Sequence, residues 1–412
     1  MTELRMALEG LLRKYKTNPD VDALKEGVKL LAQELMELEV KDKTGAERYE
    51  RSGERRTYRN GYREREWDTR VGTIPLRIPG LREGSYLPSL IEPRRRAERA
   101  VLSVIQEAYV HGVSTRKVED VVRQLGLDGI SKSEVSRICA ALDEGVARFR
   151  ERPLVEEYPY VGLDGKVVKV RHDGRVENHV AVVVIGVRRT GERDVLGFDV
   201  GPAESYDFWL AVLRELLRRG LHGVKLVISD AHEGLKQAIA EVLTGASWQR
   251  CRVHFMRNLL SLVPKRGQSM VAAWVRTIFA QPDQEAARRQ LGPVARTLAK
   301  TLPRVAELLL KAEEDVLAYM PFPPSHWRQL HSTNTLERVN QEIGRRCDVV
   351  GIFPNAQAAL RLIGAVLEEQ HDEWQAAVRR YFSLASMVTL YGEAATESEL
   401  PVLTPGEEVV AV

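Results

Sequence analysis

The stretch at residues 225–258 constrains the fold more than any other part of this 412-residue chain. A short apolar run at residues 226–228 predicts a buried strand, and residues 235–242 carry apolar side chains at helical spacing. Asp230 therefore lies where a buried strand ends and a helix follows, which is where open α/β sheets present ligand-binding groups. Its carboxylate either holds a hard cation or caps the helix, and this stretch alone favours neither role.

Apolar segments on both sides of this stretch predict the rest of a sheet. Strands are predicted at residues 160–172, 178–187, 195–200 and 246–249. The first three follow one another through short turns, so they are predicted to be antiparallel, and Asp164 ends the apolar start of the first. Residues 205–219 predict a helix that Gly220 ends. This order of strands and helices indicates a mixed α/β sheet with helices on both faces.

The chain after the sheet is predicted to be helical. Residues 259–319 carry helical periodicity almost throughout, and prolines end the segment. Thr333 or Asn334 is predicted to cap a helix at residues 335–346, whose polar face carries Glu337, Asn340, Gln341 and Gly344. A final helix is predicted from residue 356 to about residue 381.

A helix and a basic segment precede the sheet. Residues 21–40 predict an amphipathic helix that packs on the rest of the chain or on a second copy, with its apolar face formed by Leu24, Val28, Leu31, Leu35 and Leu38. The next segment interleaves arginines with aromatic residues, which suits phosphates, sugars and bases. Its predicted DNA contacts are Arg55, Arg56, Arg59 and Arg63. Asn60-Gly61 predicts a turn, and Pro75 and Pro79 restrict residues 71–79 to a short or edge strand.

Two capped helices after the basic segment resemble a helix-turn-helix. A helix at residues 94–111 comes first, and Ser114 and Ser131 are then predicted to cap the two helices, which are separated by a turn at residues 126–129. The second helix would present four polar side chains to a DNA groove, namely Lys132, Ser133, Ser136 and Arg137. An ordinary helical hairpin is the alternative. The outward polar set and the basic segment before it favour DNA binding.

Charge and cysteine content limit the class of protein. The net charge is +3, but residues 44–99 hold 14 Lys or Arg against 9 Asp or Glu, which indicates an anionic partner such as nucleic acid. A solvated charged surface is the alternative. The three cysteines are far apart in the sequence, which indicates a reducing cytoplasm rather than a disulfide framework. No apolar run predicts a signal peptide or a membrane span.

The predicted strand order resembles the RNase H-like fold, and the motifs resemble the Mutator-type transposases of bacterial insertion sequences. The matching segments occur in the family's order between residues 47 and 374, and they are RRTYRNGYRER, IPGLREGSY, HGVSTRKVEDVVRQLG, ERPL, VGLDGKVVKVR, LVISDAHEGLKQAI, QRCRVHF, STNTLERVNQEIGRR and GIFPN. Each segment alone is weak, but the ordered set is specific.

The resemblance implies an active site. Asp164, Asp230 and Glu337 would be the catalytic carboxylates and would bind two Mg²⁺, for which Mn²⁺ can substitute. The family's cysteine-x-x-histidine signature falls on Cys251 and His254, which with Asn340 would support the site. The helical residues 259–324 would be the family's insertion before the glutamate.

Other residues compete for these roles. Asp194, Asp199 and Asp207 are alternative carboxylates, but none of them combines a position at a strand end with a match to a family motif. Glu342 is an alternative to Glu337. A zinc site at Cys251 and His254 is rejected because structural zinc needs four ligands. His254 either orients groups near the metals or DNA, or is a packed core histidine.

These observations predict a DNA transposase that binds terminal inverted repeats of double-stranded DNA and catalyses strand cleavage and transfer. The predicted segments are an N-terminal helical segment for dimerisation (1–43), a basic DNA-binding segment (44–93), a helix-turn-helix domain (94–150), an RNase H-like core in two parts (151–258 and 325–392), the all-helical insertion between them and a flexible tail (393–412). A homodimer in the cytoplasm, associated with the nucleoid, is expected. The alternatives are a non-catalytic DNA-binding regulator and an RNase H-like nuclease without strand transfer.

Overall fold

The computed structural model describes residues 2–17, 22–47, 49–50, 53–91, 97, 99–124, 127 and 130–392. The chain forms two compact units, Met1–Asp143 and Glu144–Val412. The predicted boundary between residues 150 and 151 instead lies at the end of a helix, Leu142–Glu151. The predicted tail at residues 393–412 and most of the predicted turn at residues 126–129 lie outside the described residues.

The first unit combines helices with a two-stranded sheet. Its elements are α1 (Thr2–Thr17), α2 (Ala23–Thr44), β1 (Arg59–Thr69), β2 (Gly72–Leu81), α3 (Arg99–Val110), α4 (Thr115–Gln124) and α5 (Lys132–Cys139). Its core is formed where α2 packs on the sheet, with Met36, Ile74, Leu76 and Ile78 fully buried.

The helix α2 buries a different face from the one predicted. Ala32, Met36 and Val40 pack on the sheet, whereas Leu24, Leu31, Leu35 and Leu38 are 48% to 66% exposed. Both sets recur at helical spacing, so the sequence carries two apolar stripes, and the prediction chose the one with more leucines. Of the two predicted partners of the leucine face, the core of the rest of the chain contacts only Val28 among the described residues, and a second copy stays a prediction.

The predicted turn at Asn60-Gly61 was also wrong. These residues form an irregularity inside β1, where the pairing register shifts between Arg59 and Tyr62 and Gly61 adopts a φ of +69°. A glycine followed by a bulge bends a strand without ending it. The two prolines lie in β2, whose only strand partner in the described part of the chain is β1, so the restriction to an edge strand is confirmed.

Helices α3, α4 and α5 pack together in the first unit. Both predicted serine caps are present, because Ser114 Oγ accepts from the Lys117 N–H and Ser131 Oγ from the Glu134 N–H, each at 3.3 Å. The spacing of Val135, Ile138, Leu142 and Val146 predicts one continuous second helix, but the helix ends at Cys139, and α6 (Leu142–Glu151) begins after two alanines. Neither glycine nor proline marks this break, so helical periodicity continues across it.

The second unit is built on a five-stranded mixed sheet. Its strands are β3 (Tyr160–His172), β4 (Arg175–Val187), β5 (Arg193–Gly201), β6 (Leu226–Ser229) and β7 (Ser247–Arg250), arranged in the order β5-β4-β3-β6-β7. The first three are antiparallel, as predicted, and β6 and β7 are parallel to β3 and to each other. This α/β sheet is compatible with an RNase H-like fold.

The strand β3 continues well beyond the residues that pair with β6. It pairs with β6 only at Tyr160, Val161 and Gly162, while its pairing with β4 continues to His172. Asp164 lies on the first strand of the sheet, as predicted, but inside β3 rather than at its end. It lies instead just past the last residue that pairs with β6, so it still sits at the carboxyl end of the parallel part of the sheet.

Helices cover the two faces of this sheet. α7 (Tyr206–Arg218) and α8 (Glu233–Val242) bury Trp209, Leu213 and Leu235 against one face. The rest of the unit consists of α9 (Arg252–Ser261), α10 (Gln268–Phe279), α11 (Gln284–Ala299), α12 (Pro303–Lys311), α13 (Glu313–Leu317), α14 (Trp327–Leu330), α15 (Asn334–Val350), α16 (Ala356–Ala376) and α17 (Leu384–Tyr391). The helical character predicted for residues 259–319 is confirmed, whereas the final predicted helix ends five residues early, at Ala376.

The helical segment shares a core with the sheet. Val271, Val275, Leu298 and Leu309 belong to one buried cluster with Tyr160, Leu226 and Ile228 of the strands. The segment is therefore a packed continuation of the sheet core rather than a loose connection. Within the described ranges, none of the helices combines the length and apolarity needed to cross a membrane.

Candidate active site

The site is assembled where α15 lies along β3. Asp164 Oδ2 accepts a hydrogen bond from Asn340 Nδ2 at 2.8 Å. On either side, a Cβ placed on Gly162 would lie 2.8 Å from Leu336 Cδ1, and one placed on Gly344 would lie 2.8 Å from Lys166 Nζ. Residues two apart on β3 thus face residues four apart on α15.

The matched spacing of β3 and α15 follows from the rise per residue of a strand and of a helix. Two strand residues advance about 6.6 Å and four helix residues about 6 Å, so matched contacts recur along both elements. Gly162 and Gly344 lie where β3 and α15 come close to each other, and neither residue has a side chain that would separate the two elements. The helix can therefore lie close enough to the strand for Asn340 to reach Asp164.

Asp164 is half-buried with both carboxylate oxygens in contact with the chain. In addition to the Asn340 bond, its Oδ1 accepts from the Gly165 N–H at 3.0 Å. Burial raises the pKa of Asp164 above its usual value, although the Asn340 hydrogen bond and the charge of His254 oppose the rise. The charge of Asp230 also raises this pKa, so the two carboxylates are electrostatic neighbours.

Asp230 follows β6 and does not cap the next helix. Its Oδ1 accepts only the adjacent Ala231 N–H at 2.7 Å, while α8 begins later and is capped by His232, whose Nδ1 accepts from the Leu235 N–H at 3.3 Å. The capping alternative for Asp230 is therefore not observed.

Glu337 lies in the first turn of α15, beside His254 of α9. Its Oε1 is 3.7 Å from His254 Nε2 and is buried without a hydrogen-bond partner among the described residues. His254 also interacts electrostatically with Asp164 and Asp230. The structure therefore brings all three predicted carboxylates around one imidazole.

Cys251 holds the start of α9 against the start of α15. It is fully buried, and its sulfur accepts from the Thr333 N–H at 3.5 Å and from Thr333 Oγ1 at 3.3 Å. The neighbouring sulfur raises the pKa of His254 to about 9, although burial opposes this. Burial raises the pKa of Cys251, but His254 and Thr333 more than offset this and leave it below its usual value. The position of Thr333 before a helix predicted a cap, so its contact with Cys251 was missed.

The donor atoms suit a hard cation. Mg²⁺ prefers oxygen ligands, and the three carboxylates supply them, with the Oε1 of Glu337 left without a partner among the described residues. Ligand atoms of Cys251, His254 and Glu337 also lie within 4.8 Å of one another. These three groups remain short of the four ligands of a structural zinc site.

The competing carboxylates have other partners. Asp194 is buried, accepts hydrogen bonds from Tyr158, Arg152 and Arg188 at 2.7 to 3.0 Å, and lies 2.9 Å from His371 Nδ1, and these contacts hold its pKa well below the usual range despite burial. Asp199 pairs with Arg150 and Glu342 with Arg345 and Arg346, whereas Asp207 is exposed on α7. The Asp194 cluster accounts for the arginine of the ERPL segment, Arg152, as a structural residue.

The predicted DNA-binding residues of the basic segment are mostly engaged within the first unit. Arg59 pairs with Glu37, Arg63 donates to the Tyr86 carbonyl at 3.1 Å, and Arg55 donates to the carbonyl of Glu47 at 3.0 Å. The Arg56 side chain is exposed. On α5, Ser133, Ser136 and Arg137 are exposed and Arg137 pairs with Glu134, while the side chain of Lys132 lies outside the described residues.

Comparison with known proteins identifies the family. The sequence model of "Transposase, Mutator family" matches residues 1–377. The chain is 45% identical to the transposase for insertion sequence element IS1081 of Mycobacterium tuberculosis, over 95% of each chain. It is 38% identical to the transposase for insertion sequence element IS256 in transposon Tn4001 of Staphylococcus aureus, over 90% of this chain and 95% of that one.

A solved simian T-cell lymphotropic virus intasome also matches 43% of this chain and 66% of its own, at 11% identity and a TM-score of 0.17, which is too low to support an argument about the fold. The family match extends over nearly the whole length of the chain and of its relatives. This chain belongs to the Mutator family of transposases.

Proposed function

We propose that this transposase binds the terminal inverted repeats of its element and cuts and joins DNA with Asp164, Asp230 and Glu337 as metal ligands. The observation that carries the proposal is the convergence of these three carboxylates, from β3, the end of β6 and α15, around His254. When bound, two Mg²⁺ supply charge stabilisation at the attacking and leaving oxygens. Mn²⁺ fits the same oxygen ligands.

The proposed reaction has two displacements at phosphorus. In the first, a water oxygen bonds to the phosphorus at the element's end, the bond from phosphorus to the 3′ oxygen breaks, and a 3′-hydroxyl is released. In the second, this hydroxyl attacks a phosphodiester of another strand and displaces that strand's 3′ oxygen. The protein forms no covalent bond, so its residues position and stabilise charge.

The protein residues have distinct parts in this scheme. Asn340 fixes the carboxylate of Asp164 through its 2.8 Å hydrogen bond. His254 lies beside the three carboxylates, and the neighbouring sulfur of Cys251 raises its pKa, which favours an imidazole that holds a proton there. Cys251 and Thr333 hold the starts of α9 and α15 together, which fixes His254 relative to Glu337.

DNA recognition is proposed for the first unit. The packing of α3, α4 and α5 and the two serine caps favour a helix-turn-helix, in which α5 presents Ser133, Ser136 and Arg137 to a groove. Arg56 is an exposed arginine of the basic segment, and it is proposed to meet a phosphate.

A homodimer is proposed because two element ends must be joined together. The exposed leucines of α2, Leu24, Leu31, Leu35 and Leu38, form an apolar stripe that a second copy of the same helix would cover. Light scattering on the purified protein tests this, since Leu31→Lys with Leu35→Lys should give a monomer and an unchanged dimer would reject the stripe.

Cleavage of terminal-repeat DNA tests the proposed function. Asp164→Ala, Asp230→Ala and Glu337→Ala are expected to abolish Mg²⁺-dependent nicks and joints while leaving the gel shift unchanged. Asp207→Ala removes an exposed carboxylate of the same unit and serves as the control, with cleavage as in the wild type. Substantial cleavage in Asp230→Ala would reject the assignment, and nicks without joints in the wild type would indicate a nuclease instead.

A further inference from the structure

A pocket lies between α9 and α10, beside the carboxylate site but separate from it. Its volume is about 420 Å³, within the range of small-ligand sites of roughly 300–1,000 Å³. It is lined by Arg252, Val253, Met256, Arg276, Phe279 and Ala280. Two of the six lining residues are arginines, none is acidic and the others are apolar, so the lining complements an anion joined to a flat apolar group.

One of the two arginines is fixed in place. Arg252 is the first residue of α9, and its N–H donates to the His331 carbonyl at 2.8 Å. Its guanidinium lies 4.9 Å from the centre of the Phe279 ring and also interacts with Tyr319. A guanidinium held on an aromatic face presents its donor edge in one orientation, which suits a phosphate. Arg276, on α10, is exposed on the facing wall.

The pocket shares the first turn of α9 with the candidate active site. Arg252 and Val253 line the pocket, and the next residue, His254, lies 3.7 Å from Glu337. A helical turn rises only about 5.4 Å, so the pocket lies within one turn along α9 of the residue that faces Glu337.

We propose that the pocket binds one nucleotide of the DNA strand adjacent to the scissile phosphate, with its base unstacked from the duplex. This inference rests on the proposed function, because it takes the strand position from the carboxylate site. The arginines bind the phosphate, and the base lies among Val253, Met256 and Phe279. A base inside a duplex is covered on both faces by its neighbours, so only a base that has left the stack enters a pocket on a helix surface.

Fluorescence of 2-aminopurine, placed in turn at each position near the end of a terminal-repeat duplex, tests the proposal. The complex is formed with Ca²⁺ in place of Mg²⁺ so that the strands stay intact. Two variants alter the pocket at exposed positions: Ala280→Trp fills it, and Arg276→Glu reverses a charge. Arg304→Glu, an exposed charge reversal on α12 away from the pocket, is the matched control.

The wild type and Arg304→Glu are expected to increase fluorescence at one or two adjacent positions. Both pocket variants are expected to lose this increase and to bind a duplex with an unpaired end roughly tenfold more weakly, which is the scale of losing one stacked base. Equal signals in all four proteins, or no increase at any position, would overturn the inference. Pocket-dependent binding of free dAMP without any increase on DNA would also overturn it, by assigning the pocket to a mononucleotide.

The two proposals fail separately. If the wild type cleaves DNA with Mg²⁺ but the fluorescence pattern is absent, the pocket assignment is wrong and the carboxylate site stands. If the pattern is present but cleavage survives in Asp230→Ala, the pocket stands and the carboxylate assignment is wrong. Thermal unfolding of each variant, compared with the wild type, separates loss of folding from loss of binding.

Discussion

At the scale of single residues, the site depends on a few buried polar contacts. The Asn340 amide is buried and donates to Asp164 at 2.8 Å, while its own Oδ1 has no partner among the described residues. An amide donates without adding charge, so it can hold a carboxylate in place and leave that carboxylate's negative charge available to a cation.

Asn340→Ala is expected to slow cleavage without weakening DNA binding. A hydrogen bond to a charged group contributes about 1.5–3 kcal/mol, which corresponds to a rate loss of roughly 10- to 100-fold if the bond acts in positioning. Single-turnover cleavage rates at saturating protein measure this. Partial recovery in Asn340→Gln, which restores a donor, supports positioning, whereas a wild-type rate in Asn340→Ala would contradict it.

A buried histidine gives the second unit a pH-dependent stability. His326 is fully buried, its Nδ1 pairs with the Tyr160 hydroxyl at 2.8 Å, and burial lowers its pKa to about 4. The unfolded chain, with a pKa near 6.5, then binds more protons than the folded chain between these values, so stability is lost as the pH falls from about 6.5 to about 4.

Lowering the pH from 7 to 5 is expected to reduce the unfolding free energy by about 2 kcal/mol through His326 alone. Denaturant titrations at both pH values measure the loss. The variant His326→Gln cannot gain the proton, so its loss should be smaller than that of the wild type by this amount. Equal losses in the two proteins would show that His326 does not contribute.

At the scale of elements, the match between β3 and α15 decides whether the carboxylates meet. A Cβ on Gly162 would lie 2.8 Å from the Leu336 side chain inside the packed core. On Gly344 the nearest atom is instead the flexible end of Lys166, which can move aside. The two glycines therefore differ in their tolerance of a methyl group.

Gly162→Ala is expected to cost about 1–3 kcal/mol of stability, as overpacking usually does, and to reduce cleavage because α15 carries Glu337 and Asn340. Gly344→Ala is the matched control and should lie closer to the wild type in both measurements. Thermal unfolding and cleavage rates of the pair check this, and equal effects at the two positions would contradict the proposed close approach.

Local sequence patterns predicted the helices and strands better than they predicted how these elements pair and pack. The short apolar run before Asp230 predicted a buried strand that ends there. The short turns between the first three strands predicted that these strands are antiparallel. Asp164 lies inside a continuous strand because β3 outlasts its pairing with β6, which only long-range pairing reveals. The sequence of α2 carries two apolar stripes and does not tell which one packs within the chain, because only packing on β2 chooses between them.

Partners distant in sequence could not be predicted. The contact of Thr333 with Cys251 and the four partners of Asp194 join segments far apart along the chain. The motif resemblance supplied Glu337, and the helical spacing disfavoured Glu342, which lies five residues on and points away from the face of Glu337. Its distinguishing feature, proximity to His254, exists only in the folded chain.

At the scale of the whole molecule, the division at Asp143 and Glu144 predicts which fragment folds alone. Val146 and Phe149 of α6 are buried in the second unit, where Phe149 stacks on Phe198 at 5.9 Å between ring centres. A fragment of residues 142–392 should therefore unfold cooperatively and lose specific end binding.

A fragment of residues 152–392 is the matched comparison. It lacks Val146 and Phe149, so its stability should be lower by several kcal/mol, on the order of the 3–5 kcal/mol for deleting one large buried aromatic side chain. Denaturant titration of both fragments and gel shifts with terminal-repeat DNA measure these differences. Equal stability, or specific binding by either fragment, would contradict the assignment of roles to the two units.

The central claim is that carboxylates from β3, the end of β6 and α15 share one metal centre, and iron-directed backbone cleavage tests it most directly. Fe²⁺ bound in place of Mg²⁺ reduces added hydrogen peroxide to hydroxide and a hydroxyl radical, added ascorbate returns the Fe³⁺ to Fe²⁺, and the radicals cut the nearby chain. The account predicts cuts near residues 164, 230 and 337 together, suppressed by excess Mg²⁺ and lost in Asp230→Ala. Cuts that persist in Asp230→Ala but vanish in Cys251→Ser would contradict it and place the metal on the cysteine and histidine instead.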